Sequence, residues 1–306
     1  MCGLFGFSTY GTSPIRDVAK LVNALAQESA IRGIDATGIA YCRDGRIQAQ
    51  KEALSAYKMN FKPPQNVRAL IGHTRHSTQG SEKQNYNNHP FTGKAGGTRF
   101  ALAHNGVLTN DETLKVQYHL PQTKIETDSY VAVQLIEQQR KLNFDSLRHM
   151  AETVHGSFSF SILDDRDNLY LVKGDSPLSI LHFPKEKLYV YASTDEILYR
   201  ALIETSLFEA IKDKAYEVIH IDCGTILKIK PDGKPEQEEF AYQIYTGKNW
   251  YNYGWSMPTV NAHHNDDYIE ELRRFACYAG FDPEIVDELI GEGFSTFEVE
   301  EYIYAG

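Results

Sequence analysis

The spacing of apolar and polar residues along the chain predicts two runs of short strands, each followed by helices. Short apolar or alternating segments predict strands at 4–8, 38–41, 46–50, 69–74 and 100–104, and again at 157–163, 169–173, 178–183, 188–192, 216–221 and 225–229. Apolar residues that recur every three or four positions predict helices at 14–31, 127–141, 144–154 and 194–205. The last two strands are expected to pair with each other. Such runs are typical of an α+β fold, in which antiparallel sheets pack together under helical outer layers.

Two segments interrupt this pattern. Residues 79–97 are rich in Asn, Gly and Lys and predict a long loop, which in a compact domain is usually functional or disordered. Closure of this loop over a bound ligand is one hypothesis. Residues 240–265 are aromatic and aperiodic, and they predict a linker. We therefore expect three parts: a body over 2–239, a linker over 240–265 and a small three-helix C-terminal domain over 266–306.

The C-terminal domain carries the net charge of the chain. The 306 residues include 31 Lys and Arg and 41 Asp and Glu, which gives a formal net charge of −10. Residues 266–306 hold twelve of these acids and only two arginines, so the rest of the chain is neutral. Helices are expected there over 267–278, after the Asp282-Pro283 cap and after a cap at Ser295. They either pack on the body as a stabilising cap or dock a partner with a basic surface.

Composition excludes several classes of protein. With 42% apolar residues the chain can bury a core, and no apolar run approaches the roughly 20 residues that a membrane helix needs. The N-terminus has no secretory signal pattern, so a cytoplasmic location is expected. The neutral body has no surplus of basic charge for binding nucleic acid. Four cysteines without a C-x-x-C spacing predict neither a metal site nor a disulfide framework, and no cofactor is expected.

The second residue, Cys2, holds a position that can carry chemistry. Methionine aminopeptidase removes Met1 when the next residue is small, which would leave Cys2 with a free α-amino group. The reference pKa of an α-amino group is about 7.7–8.0 and that of a thiol about 8.5, so near neutral pH the amine can accept the thiol proton. A cysteine at this position is more often accidental, so the hypothesis needs support from other motifs.

Four further motifs place polar residues at the ends of predicted elements or in the long loop. They are GHTRHSTQG with Arg75, NNHPF with His89, AHNGVLTN with Asn105 and Gly106, and ETDSYV with Asp128. Each has an ordinary structural explanation when it stands alone, such as a surface ion pair, a turn or a helix cap. A functional interpretation of any one motif therefore depends on whether the other motifs occur with it.

Together with MCGLFGF and RGIDATGIA, and in this order, the motifs resemble the class II glutamine amidotransferase domain. This domain is an N-terminal nucleophile hydrolase found in glucosamine-6-phosphate synthase and in the amidotransferase of purine synthesis. The resemblance covers roughly residues 2–230. It implies a four-layer αββα sandwich of antiparallel sheets for the body, and L-glutamine as the substrate.

The resemblance also implies catalytic roles. Cys2 would attack the side-chain amide of glutamine, giving first a tetrahedral oxyanion and then a thioester. The side-chain amide of Asn105 and the backbone N–H of Gly106 would stabilise the oxyanion. A glycine suits the second position because a backbone amide can approach the oxyanion closely without a Cβ in the way.

Other residues would bind the substrate as a free amino acid. Arg75 would hold the α-carboxylate with two guanidinium N–H groups, and Asp128 would pair with the α-ammonium group. Further positions that match the family at the same pocket are Thr78 and His89, with Arg32 and Asp35 bracing it. No metal or cofactor is implied.

The chain departs from the family where an ammonia-using synthase normally follows. Only about 75 residues come after the resembling region, and they contain no Gly-rich phosphate loop. The ammonia is therefore expected to reach either bulk solvent or a separate synthase partner, which would dock on the acidic C-terminal helices. Two other interpretations stay open: hydrolysis of a different amide by an N-terminal cysteine, and a non-enzymatic interaction module.

Overall fold

The structure is a computed structural model, and it describes residues 2–11, 15–242, 264–278, 280–294 and 296–305. The strands are β1 (Gly3–Thr9), β2 (Ala36–Arg43), β3 (Arg46–Glu52), β4 (Ala69–Arg75), β5 (Phe91–Ala95), β6 (Thr98–Leu108), β7 (Gly156–Asp164), β8 (Leu169–Lys173), β9 (Ser179–Phe183), β10 (Leu188–Ala192), β11 (Glu217–Val218), β12 (Thr225–Ile229) and β13 (Pro235–Glu239). The α-helices are α1 (Val18–Glu28), α2 (Asp111–Gln117), α3 (Tyr130–Gln138), α4 (Phe144–Thr153), α5 (Asp195–Ile203), α6 (Phe208–Lys212), α7 (His264–Tyr278), α8 (Glu284–Gly291) and α9 (Thr296–Ala305).

The strands form two antiparallel sheets. The first has the order β11-β9-β10-β1-β4-β2-β3, and the second has the order β13-β12-β8-β7-β6-β5. In the first sheet Gly3 of β1 lies opposite Thr74 of β4, so Cys2 emerges beside the end of β4. In the second sheet Gly106 of β6 lies opposite Phe158 of β7. Strands of both sheets therefore position Cys2, Arg75, Asn105 and Gly106, four of the predicted site residues.

Three hydrophobic clusters stack these elements into four layers. Successive residues of β1 point to opposite faces, so Leu4 enters the core between the two sheets while Phe5 and Phe7 pack toward α1 and α5. A separate cluster packs α3 and α4 on the outer face of the second sheet. This arrangement confirms the predicted α+β fold, a four-layer αββα sandwich of antiparallel sheets.

The region after β1 brings a buried arginine beneath the N-terminus. The side chain of Asp17 accepts a hydrogen bond from the Lys20 N–H at 3.1 Å and so caps α1. The 3-10 turn Ser29–Arg32 follows the helix directly, and Arg32 is fully buried at its end. The predicted helix start at Pro14 lies outside the described residues.

The predicted pairing of 216–221 with 225–229 is wrong. The first segment contributes only β11, which pairs with β9 in the first sheet. The second is β12, which pairs with β8 and β13 in the second sheet. The chain crosses between the sheets just before β12, where Gly224 has a φ of +88°. Periodicity indicates which face of a strand is buried, but it does not specify the strand's partner.

The predicted loop at 79–97 contains a whole strand, β5. β5 pairs with β6, and its residues Phe91 and Ala95 are buried in the core under α3. The exposed Thr92 and Lys94 alternate with them, but Gly and polar neighbours make this short alternation hard to detect. α2 and β13 are also absent from the prediction. β13 is an exposed edge strand of mostly charged residues, which carries no apolar signal.

The C-terminal residues form three helices with a core of their own. Buried apolar side chains from α7, α8 and α9 make this core: Tyr268, Leu272, Phe275, Ala276, Val286, Leu289, Val299 and Ile303. Asp282 accepts a hydrogen bond from the Glu284 N–H at 3.0 Å at the start of α8. Most of the predicted linker (243–263) and the predicted cap at Ser295 lie outside the described residues. Within the described ranges, no helix is long and apolar enough to cross a membrane.

Candidate active site

A narrow pocket lies where β1 begins, β4 ends and β6 approaches its end. The residues that line it are Cys2, Arg75, His76, Thr78, Gln79, His89, His104, Gly106, Thr127, Asp128 and Ser129. Six residues predicted from the sequence are therefore brought together here. The seventh, Asn105, precedes Gly106 on β6 and is fully buried.

Cys2 is held at both its thiol and its backbone carbonyl. The thiol donates a hydrogen bond to the backbone carbonyl of His76 at 3.5 Å, and the Cys2 carbonyl accepts one from Nε of Arg32 at 2.9 Å. Burial raises the pKa of the Cys2 thiol, and the positive charge of Arg75 opposes this shift. The thiol is therefore positioned, but it needs a base to become a nucleophilic thiolate.

Two adjacent residues of β6 present hydrogen-bond donors next to the pocket. Gly106 has a φ of +134°, and a Cβ there would lie 2.0 Å from the carbonyl oxygen of Ser157. Only glycine fits this backbone. The side-chain amide of Asn105 is buried, and neither of its polar atoms has a hydrogen-bond partner among the described residues. A buried amide without partners is costly, so this one is suited to bond with a bound molecule.

Arg75 places a positive charge in the pocket that has no ion-pair partner among the described residues. Its Nη1 donates to Oδ1 of Asn88 at 2.7 Å, and its Nη2 donates to the carbonyls of Gln79 and Gly80, each at 2.7 Å. All three acceptors are neutral, and no carboxylate of the described chain lies within ion-pair distance. Burial lowers the pKa of Arg75, and the nearest carboxylates only partly offset this. The hydrogen bonds orient the guanidinium, and its charge can pair with a bound anion.

Asp128 places a negative charge in the same pocket. Its Oδ2 accepts the Leu108 N–H at 2.6 Å, and its Oδ1 accepts the Ser129 hydroxyl at 3.3 Å. Asp128 is buried, and no cation lies at ion-pair distance in the part of the chain that the structure describes. Arg75 and Asp128 thus offer opposite charges that are buried, oriented and free to bind a zwitterion.

The loop that follows β4 is folded onto the body. Asp35 Oδ2 accepts the Ser77 N–H at 2.7 Å, which fixes the start of the loop. Farther along, Asn87 and Glu126 exchange two hydrogen bonds, each of 2.9 Å. Together with the Arg75 contacts, these bonds place the pocket-lining residues Thr78 and Gln79 over the site. Thr78 itself is exposed at the rim.

A cluster of buried imidazoles forms the floor beside His89. The His89 ring lies 4.2 Å from that of His73 and 4.3 Å from that of Phe91, between centroids. Burial lowers the pKa of His73 to about 3 and holds that of His89 well below its usual range. Nδ1 of His104 pairs with the Ser129 hydroxyl at 2.8 Å. Within the described residues, no group of three His, Cys, Asp or Glu is arranged to bind a metal ion.

Several of these contributors are not predicted from the sequence. They are His73, His104, Ser129 and Lys51. Lys51 donates to the carbonyls of Asn88 and Pro90, and burial lowers its pKa to about 8. Ser129 directly follows Asp128, which is the one local signal for its position. The others come from strands whose polar residues resemble ordinary core or surface positions.

A family model matches this part of the chain. The family is described as a glutamine amidotransferase domain, and the match covers residues 73–200. That range includes every predicted catalytic and substrate-binding residue except Cys2, which precedes it, as do the bracing residues Arg32 and Asp35.

Curated relatives are similar over the same region. The isomerizing glutamine–fructose-6-phosphate aminotransferase of Staphylococcus epidermidis is 33% identical over 190 residues, which are 59% of this chain and 30% of that protein. The Listeria innocua protein of the same name is 30% identical over 256 residues, which are 81% of this chain and 39% of that protein. The chain thus spans well under half the length of these relatives.

Two solved structures share the fold. Glutamine phosphoribosylpyrophosphate amidotransferase from B. subtilis superposes with a TM-score of 0.63 at 20% identity, covering 91% of this chain and 58% of that one. The allosteric regulatory enzyme of purine biosynthesis gives a TM-score of 0.60 at 20% identity, covering 90% and 58%. The likeness agrees with the four-layer architecture that the strands and helices form.

Proposed function

Because the chain contains a class II glutamine amidotransferase domain, we propose that it hydrolyses L-glutamine to L-glutamate and ammonia through a thioester on Cys2. One observation carries the proposal. Arg75 and Asp128 are buried beside the thiol with opposite charges, and neither has an ion-pair partner among the described residues. A free α-amino acid would supply both partners at once, with a carboxylate for Arg75 and an ammonium group for Asp128.

The chemistry follows from the groups around the thiol. Once Met1 is removed, the α-amino group of Cys2 takes the thiol proton, and the sulfur attacks the side-chain carbonyl carbon of glutamine. The oxyanion that forms accepts hydrogen bonds from the Asn105 amide and the Gly106 N–H. The protonated amine then gives its proton to the leaving nitrogen, and ammonia departs from a thioester.

Hydrolysis of the thioester reverses these roles. The amine deprotonates a water molecule, the water attacks the thioester carbonyl, and the same two donors stabilise the second oxyanion. Collapse of this intermediate releases glutamate and returns the thiol of Cys2. In the proposal, Thr78 covers the pocket at its rim and His89 forms part of its floor, while Arg32 and Asp35 hold the residues that contact the substrate.

The fate of the ammonia is a separate part of the proposal. Two of the proteins similar to this chain are a glutamine–fructose-6-phosphate aminotransferase and a glutamine phosphoribosylpyrophosphate amidotransferase, and this chain spans only part of each. We propose that an acceptor, supplied by a synthase partner, receives the ammonia. The acidic outer surface of the C-terminal helices would dock that partner through a basic face.

Substrate analogues test the proposed recognition directly. The experiment compares L-glutamine with N-acetyl-L-glutamine, which lacks the ammonium group, and with L-glutamine α-amide, which lacks the carboxylate. We expect each analogue to lose about 100-fold or more in kcat/KM, since a buried charge in the site is then left unpaired. Hydrolysis of the N-acyl substrate as fast as glutamine would instead support an N-terminal cysteine hydrolase for another amide.

A further inference from the structure

We propose that the C-terminal helices (α7, α8 and α9) hold the nucleophile in place, with Glu300 as a positioning residue for Cys2. The inference rests on the proposed function for its activity readout, but the contacts themselves do not depend on it. No described residue of these helices lines the glutamine pocket. Their contacts with the body that the structure describes include Arg32, His76 and Asp175, each of which borders a different part of the site.

The first contact reaches the Cys2 backbone. Arg32 donates from Nε to the Cys2 carbonyl at 2.9 Å, and its Nη1 lies 3.5 Å from Oε1 of Glu300 in α9. Both charged side chains are fully buried. The Arg32 guanidinium also lies over the ring of Tyr268 in α7, 5.6 Å from its centroid, and the Tyr268 hydroxyl donates to Oε2 of Glu300.

This contact has a clear electrostatic consequence. A buried guanidinium is strongly disfavoured unless a negative charge and further hydrogen bonds compensate it. Glu300 supplies negative charge from the C-terminal helices, and Tyr268 fixes the orientation of that carboxylate. Arg32, which holds the Cys2 carbonyl, is therefore compensated by a residue that lies 268 positions after it in the chain.

The second contact reaches the residue that accepts the thiol hydrogen bond. The Phe275 ring of α7 meets the His76 ring edge-on, with centroids 6.3 Å apart and an interplanar angle of 85°. The backbone carbonyl of His76 is the acceptor for the Cys2 thiol. Packing on this side chain restricts the first residue after β4, and with it the position of that carbonyl.

The third contact reaches the strand beside the oxyanion donors. Nη1 of Arg274 in α7 lies 2.7 Å from Oδ2 of Asp175. The other carboxylate oxygen of Asp175 accepts the Phe158 N–H at 3.1 Å, and Phe158 is the register partner of Gly106. The same helices that contact both hydrogen-bond partners of Cys2 thus also hold Asp175, which bonds to the strand beside Gly106.

The three contacts act on residues that support the site, and no described residue of these helices lines the pocket itself. A helical unit that blocked the substrate would place its own side chains in the pocket, whereas these residues contact Arg32, His76 and Asp175 from outside it. Small displacements of a reacting group are expensive in rate, since about 1 Å of misplacement can cost about 100-fold. Loss of the Glu300 charge should therefore lower the rate of the chemical step more than it weakens glutamine binding.

The test uses the full-length protein and removes one charge at a time. Glu300→Gln keeps the size of the side chain, and the matched control Glu288→Gln removes a charge from the exposed surface of α8. For each protein, kcat and KM for glutamine are measured. The rate of Cys2 alkylation by iodoacetamide is followed in parallel by peptide mass mapping, which separates Cys2 from the other three cysteines.

We expect Glu300→Gln to lower kcat by about 10- to 100-fold with KM near the wild-type value, and to make alkylation of Cys2 faster. Glu288→Gln should match wild type in all three measurements. A Glu300→Gln protein that equals its control, or one that changes only KM, would overturn the positioning role. If wild-type protein hydrolyses no glutamine, the proposed function fails, and the alkylation comparison alone decides this inference.

A second variant covers the case in which Glu300→Gln does not fold. Arg274→Gln removes the partly exposed ion pair with Asp175 and leaves the buried contact intact. We expect a smaller fall in kcat, about fivefold or less, because partly exposed ion pairs are weak. Faster Cys2 alkylation in this variant would support the role, and alkylation and kcat both equal to wild type would count against it.

Discussion

At the scale of single residues, the site is a set of buried polar side chains that lack some of their usual ion-pair or hydrogen-bond partners. Among the described residues, the buried Arg75 and Asp128 have no ion-pair partner and the buried Asn105 amide has no hydrogen-bond partner. Their identities could be predicted because each lies in a distinctive motif. The lack of partners could not be predicted, since it depends on which neighbours the fold brings within reach. The Arg75 guanidinium, for example, is oriented by loop carbonyls that give no sequence signal.

The Asn105 amide provides a first test at this scale. We expect Asn105→Ala to reduce kcat for glutamine by about 100- to 1000-fold, because one of two oxyanion donors is lost. KM should change little, since the donor acts mainly in the transition state. Asn66→Ala, at an exposed position, is the control and should keep wild-type kcat. A kcat within a few fold of wild type would remove Asn105 from the proposed oxyanion site.

The Asp128 carboxylate is tested through binding. Asp128→Asn keeps the acceptor for the Leu108 N–H but removes the charge that would pair with the substrate ammonium group. We expect kcat/KM for glutamine to fall by about 10- to 100-fold, mostly through KM, as measured by steady-state glutamate release. Asp44→Asn, whose carboxylate is 90% exposed, should leave both constants unchanged. An unchanged KM in Asp128→Asn would exclude the proposed contact.

The buried imidazoles predict how stability depends on pH. Burial lowers the pKa of His73 from 6.5 to about 3, so as pH falls the unfolded chain takes up a proton near pH 6.5 while the folded chain stays neutral until about pH 3. The free energy of unfolding should therefore fall between these values, by up to about 1.4 kcal/mol per pH unit for this residue. Above pH 6.5 the residue contributes no pH dependence.

Denaturant unfolding at several pH values checks this prediction. His73→Asn removes the titrating group, so its stability should depend less steeply on pH between 6.5 and 3 than that of wild type. His155→Asn, at an exposed position, should keep the wild-type slope. Equal slopes in wild type and His73→Asn would show that His73 does not stay neutral in the folded protein.

At the scale of elements, β6 shows how local backbone geometry serves the site. Gly106→Ala would place a Cβ 2.0 Å from the Ser157 carbonyl at a φ of +134°. We expect a loss of about 3 kcal/mol or more in the free energy of unfolding, together with loss of glutaminase activity. Gly97→Ala, in the turn before the same strand, meets nothing within 4 Å and should have little effect. Thermal unfolding of both variants measures the difference.

The elements themselves could be predicted wherever their apolar pattern was strong. The alternation in β1, with Phe5 and Phe7 on one face and Leu4 on the other, is one such case. The exceptions are short or polar, such as β5 inside the predicted loop and the exposed edge strand β13. The pairing of β11 with β9 could not be predicted, because a crossover between sheets is decided by packing of the whole sandwich.

At the scale of the whole molecule, the uneven charge now has a structural context. The sequence separates a neutral body from an acidic C-terminal domain, and the structure places three helices with their own core in that domain. One of the acids, Glu300, is fully buried against Arg32, which also contacts Cys2. Periodicity could predict the helices but not this contact, because a lone buried acid in an acidic segment has no distinguishing pattern.

The measurement that tests the central claim most directly is glutamate release from L-glutamine by wild-type protein and by Cys2→Ala. We expect steady release by wild type from which Met1 has been removed. Cys2→Ala should show none above the uncatalysed rate, since the thioester requires the thiol. Cys42→Ala, which removes another half-buried thiol, should keep full activity. Release by Cys2→Ala at the wild-type rate would contradict the proposed mechanism.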